Sequence, residues 1–177
     1  MILKIIISLV AVVALLAATI FVIGKNLPLR HRAGTWIDLR AAPEAVYDRI
    51  VAVDHAREWR SEVKSVDLLP EENGEAGFRI VDGNGAITYR IEQADRPRRF
   101  VTRIADTDLG FGGRWAIDIE PRAAGSRVRI VEEGEVTSPV FRFFSRYVFG
   151  HYRTQESYLR GLAASFGEAA TIERMPD

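Results

Sequence analysis

Nineteen consecutive residues, Ile5 to Ile23, carry no charge, and only Ser8 and Thr19 interrupt their apolar character. At about 1.5 Å of rise per residue, a helix of that length nearly crosses a hydrocarbon core of about 30 Å. Residues 1–24 therefore read as one transmembrane anchor. The rival reading is a cleaved signal peptide, whose apolar core normally runs about 7 to 15 residues and ends at a small-x-small site. Ala17 and Ala18 are small, but no polar cleavage region follows them. A helix buried in a soluble core is the third reading, since an apolar run this long favours the membrane. Lys4 precedes the segment and Lys25, Arg30 and Arg32 follow it, a difference too small for the positive-inside rule to assign a side.

The remaining chain has room for one domain of ordinary size, and the whole is 177 residues long. Its 24 basic and 24 acidic residues cancel, so no global positive field exists to draw it to nucleic acid. Cysteine is absent, which excludes disulfides, thiolate metal sites and a cysteine nucleophile. His31, His55 and His151 lie far apart, and no HExxH or acidic-loop pattern accompanies them, so no metal is expected. Gly110, Gly112 and Gly113 stand between two strand-like segments rather than before a helix, which argues against a nucleotide-phosphate loop. No cofactor is implied.

Residues 25–33 read as a basic linker containing Pro28, short enough at about 30 Å to keep the domain beside the bilayer. Residues 35–39 alternate as a strand does, and Ala42-Pro43-Glu44 opens a helix that runs to about Val51. A short helical piece spans His55 to Trp59. Six further strand-like segments follow, at about 63–69, 78–81, 87–94, 99–105, 114–120 and 127–136. Turn residues separate them, Asp82-Gly83-Asn84-Gly85 being the strongest hairpin signal. From Pro139 to about Glu168 the period changes: Phe141, Phe144, Val148, Tyr152, Gln155, Leu159, Leu162 and Phe166 recur every three or four residues. This predicts one long amphipathic helix, with Ser138 as its N-cap. Residues 169–177 read as a flexible tail.

A strand, two short helices, six successive strands and a closing helix form an unusual order. It resembles the START-like, or helix-grip, α+β fold, in which a curved antiparallel sheet, here of about seven strands, wraps a long C-terminal helix. The segment from Thr35 through Ala42-Pro43 to Val46-Tyr47 resembles the opening of the polyketide cyclase/dehydrase-like branch of the SRPBCC superfamily. Val53 to Trp59, with Val63, Val66 and Leu68, resembles that branch's tryptophan-bearing turn and second strand, and residues 159–168 resemble its closing helix. The resemblance covers residues 35–168. It implies an apolar cavity between sheet and helix, and no catalytic set common to the superfamily.

Alternation within such a sheet points Ile87, Tyr89, Ile91, Phe100, Thr102, Ile104, Trp115, Ile117, Ile119, Val128, Ile130 and Glu132 inward. Cavity candidates are therefore Tyr89, Phe100, Thr102, Trp115, Ile117, Ile130 and Glu132 from the strands, with Val148, Tyr152 and Gln155 from the helix. Glu132 is out of character in an apolar row. An inward carboxylate must be paired, hydrogen-bonded or protonated, and could orient a polar ligand group or act as an acid or base. The plainer alternative is a bulge near Glu133-Gly134 that turns it to solvent. Tyr89 and Thr102 could offer hydroxyls to a ligand or satisfy themselves in the sheet. His151 reads as exposed, because its neighbour Tyr152 fits the apolar stripe better. Residues 141–149 are dense in aromatics, with Arg142 and Arg146 four apart; they read either as a membrane-contacting helix start or as a wide buried face. The expected activity is membrane-anchored binding, with transfer as an extension, of a hydrophobic small molecule or lipid. A cyclase or dehydratase is the alternative, and a ligandless interaction module the third reading.

Overall fold

The computed structural model describes residues 1–83, 85–169 and 171–175. Its elements are α1 (Ile2–Asn26), β1 (Arg30–Leu39), α2 (Pro43–Val51), a 3₁₀ turn (Val53–Glu58), β2 (Ser65–Glu72), β3 (Glu75–Val81), β4 (Ala86–Asp95), β5 (Arg99–Ile104), β6 (Phe111–Arg122), β7 (Gly125–Val136), α3 (Pro139–Phe144), a π-helical turn (Ser145–Phe149), α4 (Arg153–Ser165) and β8 (Glu173–Arg174). The strands form one antiparallel sheet in the order β2-β3-β4-β5-β6-β7-β1-β8. Sequential hairpins run from β2 to β7, and β1 then returns to pair with β7.

The expected helix α2 forms as the Ala42-Pro43-Glu44 signal requires, with Pro43 in its first turn and Glu44 at the positive end of its dipole. Its Val46, Tyr47 and Ile50 join α4's Tyr158, Leu159, Leu162 and Ala163 against Ile37, Leu39, Phe100, Ile117, Ile119, Val128 and Ile130 of the sheet. The alternation read from β5, β6 and β7 therefore gives the core face. The other face is tied by charges across strands, among them Arg99 on Asp118, Arg103 on Glu75 and Arg127 on Asp38. Arg127 also lies over the Trp36 ring, 3.6 Å from its centroid.

That last ion pair carries a pH dependence. The hydrogen-bonded Arg127 guanidinium holds the Asp38 carboxyl below the ordinary carboxylate range. A folded-state pKa below the unfolded one gives stability that is present above the unfolded value and lost as pH falls through the folded one. Asp38→Asn is thus expected to flatten the acid side of the stability profile below about pH 4 and leave the neutral side's slope unchanged, as read from unfolding midpoints across pH.

Four expectations are corrected. The strand read from Thr35 begins at Arg30, so Arg30–Ala33 belong to the sheet and only residues 27–29 separate helix from strand. The reason is pairing: Arg30, His31, Arg32 and Ala33 lie opposite Glu135, Gly134, Glu133 and Glu132. The closing helix is not continuous. A π-helical turn and Gly150, at φ 71°, break it before α4 starts at Arg153, because a wider turn shifts the side-chain phase and glycine accepts the left-handed backbone that follows. Part of the expected tail is ordered, since Glu173 and Arg174 pair with Trp36 and Thr35 as an eighth strand. His151 is half-buried rather than exposed, because it lies in the break between the helical pieces and stacks on another ring. Asn84 of the expected hairpin turn and Ala170, Pro176 and Asp177 of the expected tail lie outside the described residues.

Helix α1 is long and apolar enough to cross a membrane, and no part of its apolar window is buried. Its end is nevertheless built into the domain. Gly24 is buried against α3, so close that a Cβ there would stand 1.8 Å from the Pro139 carbonyl oxygen. Arg142 of α3 donates from Nη1 to the Leu27 carbonyl at 2.8 Å.

Candidate functional site

Three neighbouring strands set the polar floor of the site. Ala33 of β1, Glu132 of β7 and Trp115 of β6 stand opposite one another in register. No bulge interrupts β7 through these positions, so Glu132 keeps the inward phase of Val128 and Ile130, and the alternative that turned it to solvent is not what forms. Its carboxylate is about one-fifth exposed and well supplied with donors. Trp115 Nε1 donates to Oε2 at 2.8 Å, and Gln155 Nε2 approaches the same oxygen at 3.4 Å. His31 Nε2 lies 3.2 Å from Oε1.

Gln155 is fully buried and ties α4 to β1. Its Oε1 accepts from the buried Thr35 hydroxyl at 2.8 Å, and its Nε2 donates to the Ala33 carbonyl at 3.2 Å. Such a group is tolerated inside only because both ends of the amide are bonded. On the other side His31 stacks on His151, ring centroids 3.9 Å apart and planes 23° from parallel. Gly134 stands opposite His31 in the β1–β7 register, and a Cβ there would strike the imidazole at 2.2 Å. The glycine is what lets the ring lie where it does. His151 Nδ1 sits 3.5 Å from Ser145 Oγ.

Beside this network, and meeting it at His31 and His151, lies a cavity of about 530 Å³, partly open to solvent, between the start of β1, the end of β7 and the broken helix. Arg30, His31, Arg32, Arg142, Arg146 and His151 supply its basic lining, and no acidic residue is among its described lining residues. Leu27, Leu29, Val131, Val136, Tyr147 and Met175 supply apolar and aromatic wall. A few hundred cubic ångströms suit a small organic ligand. The site thus couples an apolar surface to a carboxylate–imidazole pair that can hold or move a proton.

The ten candidates read from the sequence divide. Tyr152 lines the cavity, whereas Glu132, Trp115 and Gln155 do not line it and form a network that reaches it through His31. Phe100, Ile117 and Ile130 are packed in the core. Thr102 lies between Ile91 and Trp115 in register. Tyr89 stacks on Phe78 at 5.2 Å in a second, smaller cluster, and burial pushes its phenol up to about 12, so it stays protonated and can only serve as a hydroxyl. Val148 is exposed, because the π-helical turn rotates it off the stripe shared by Gln155, Leu159 and Leu162. Sequence reasoning missed His31 as a site residue. Its signal was the alternation of β1, since His31 shares the phase of Ala33, Thr35, Ile37 and Leu39.

An antiparallel sheet whose core face is closed by a C-terminal helix has the START-like fold, and here a long apolar helix precedes it. Residues 30–165 match the model of a family described as polyketide cyclase/dehydrase and lipid transport, and the chain belongs to that family. Among solved structures, the chain is similar to the Zhui aromatase/cyclase from a Streptomyces species, with TM-score 0.64 and 13% identity over 77% of this chain and 93% of that one. It is also similar to a START superfamily protein from Mycobacterium smegmatis, with TM-score 0.61 and 15% identity over 76% and 96%. Against the di-domain ARO/CYC StfQ from the steffimycin biosynthetic pathway the TM-score is 0.57 at 12% identity, covering 77% of this chain but only 49% of that one. At such identities these likenesses establish the fold. No curated protein sequence matches the chain.

Proposed function

We propose that this chain is a membrane-anchored domain that binds, and hands on, a hydrophobic small molecule or lipid. The observation that carries the reading is the position of the cavity: residues just past the end of α1 form one wall and the π-helical turn another. An apolar ligand leaving a bilayer there would cross little water, and its burial contributes in proportion to the apolar area removed from water. The contacts of Gly24 with Pro139 and of Arg142 with Leu27 tie the end of α1 to the folded domain, which supports a helix that works as part of it. Tyr147, Val148 and Phe149 are each about half exposed or more beside this helix end, as aromatic and apolar groups at a membrane interface are.

Organic extraction of the full chain purified in a neutral maltoside, followed by mass spectrometry, is expected to recover a lipid-like species that added competitors displace. Absence of any co-purifying or competable ligand would sink the binding reading. Alkaline carbonate washing of native membranes checks the anchor separately, and release of the chain would overturn that part alone. The Glu132–His31 pair favours a second reading, acid–base turnover of an apolar substrate. The same extraction decides it: a ligand recovered with altered mass after incubation with the protein indicates turnover, and an unchanged one indicates carriage.

A further inference from the structure

Charge balance around the cavity points to the polar end of its ligand. Arg30 is neutralised by Glu135 at 3.2 Å and His31 faces Glu132, while Arg32 stands opposite Glu133 in the β1–β7 register without a direct ion pair to it. Arg142 and Arg146 have no such partner: neither makes an ion pair with any described carboxylate. Arg142 is nine-tenths buried. Its Nη1 and Nη2 reach only neutral carbonyls, those of Leu27 at 2.8 Å and Thr137 at 3.5 Å, and its buried Nε has no hydrogen-bond partner.

A buried guanidinium without a counter-charge is costly. The C-terminal end of α1, which Arg142 caps, supplies roughly half a negative charge. The remainder is uncompensated. Arg146 stands one helical turn further along the same wall and is exposed. Two guanidiniums on one wall match phosphate or carboxylate, whose oxygens accept charge-assisted hydrogen bonds from the planar fork. Leu29, Val131 and Val136 line the same cavity and offer nothing to a free hydrated anion.

We infer that the cavity takes an anionic amphiphile, its phosphate or carboxylate group held by Arg146 and Arg142 and its hydrocarbon chain against Leu29, Val131 and Val136. This rests on the ligand-binding reading above and adds to it the charge of the ligand. The protein's role at this site is to offset the charge of a headgroup while the apolar wall takes its tail.

The test is titration of the full chain in decyl maltoside, followed by native mass spectrometry, with oleyl phosphate, oleate, oleyl alcohol and inorganic phosphate as probes. Oleyl phosphate and oleate are expected to bind at least about tenfold more tightly than oleyl alcohol, the ratio that one charge-assisted contact supplies. Arg146→Gln, at an exposed position, should erase most of that ratio while leaving oleyl alcohol unchanged. Arg142→Lys, which keeps the charge and removes the fork, should weaken oleyl phosphate and oleate more than oleyl alcohol; thermal melts check that both variants fold. Equal binding of oleyl alcohol and its anionic counterparts overturns the charge assignment and leaves apolar binding standing. Failure of all three oleyl probes overturns both. Inorganic phosphate binding as tightly as oleyl phosphate overturns the amphiphile in favour of a free-anion site.

Discussion

Gln155→Leu is expected to lower stability by about 3 kcal/mol, a large effect for a substitution that keeps side-chain volume close to constant. The amide it removes is fully buried and bonds Thr35, Ala33 and Glu132 at once. The Ala33 carbonyl stands opposite Glu132 in the β1–β7 ladder, and Glu132 keeps Trp115. The Thr35 hydroxyl keeps nothing comparable: it is fully buried and Gln155 Oε1 is its acceptor. Leaving one buried donor unsatisfied costs about 1–3 kcal/mol, and weakening the donor set of a part-buried carboxylate adds to it. Urea unfolding in maltoside micelles, followed by tryptophan emission, measures the loss. The double variant Thr35→Val/Gln155→Leu should recover at least about 1 kcal/mol of it, because replacing both partners with apolar groups avoids the unsatisfied hydroxyl. A single variant within about 0.5 kcal/mol of the parent, the scatter of an ordinary surface change, would show that the network contributes nothing.

Much of this arrangement is readable from periodicity. The period-two rows of β5, β6 and β7 place Phe100, Ile117, Ile119, Val128 and Ile130 on the core face, and they lie there. Glu132 could be placed in the same row because β7 is unbroken, but whether a bulge intervenes depends on pairing that no single strand encodes. His31 was hidden for a different reason. Residues 25–33 look like a basic linker because their charges stand next to an apolar helix, yet Arg30–Ala33 find hydrogen-bond partners on β7, and that long-range pairing decides the strand's start.

The closing helix shows how far a three-and-four pattern carries. Phe141, Phe144 and Val148 share a phase with Gln155, Leu159 and Leu162 only if the turn stays regular throughout. The π-helical turn and Gly150 break that phase, so Val148 is exposed while Gln155 is buried, and a cavity occupies the space beside the break. Gly150 was the local signal, and its positive φ is the physical cause.

Gly24→Leu is expected to detach α1 from the domain without unfolding it. Any Cβ at this position meets the Pro139 backbone, 1.8 Å from its oxygen and 2.7 Å from its carbonyl carbon, and a backbone group cannot rotate aside as a side chain can. Overpacking of this kind costs about 1–3 kcal/mol, and here the strain is relieved by moving the helix end away from α3. That movement breaks the Arg142–Leu27 bond and separates two walls of the cavity, Leu27 and Leu29 on one side and Arg142 and Arg146 on the other. Proteolysis follows the population of an open form when reclosing is fast, so tryptic cleavage at Lys25 should accelerate roughly tenfold, the factor that about 1.4 kcal/mol gives. The urea midpoint of the sheet domain should stay within error, because α1 packs chiefly on α3 and Gly24 meets Pro139 there, away from the core of the sheet and α4. Co-purifying ligand should fall with the same variant. The exposed neighbour Ile23, changed to leucine, serves as control and should alter neither cleavage nor ligand retention. If Gly24→Leu leaves the cleavage rate unchanged, the helix end is not docked on α3, and the cavity wall it completes is lost with it.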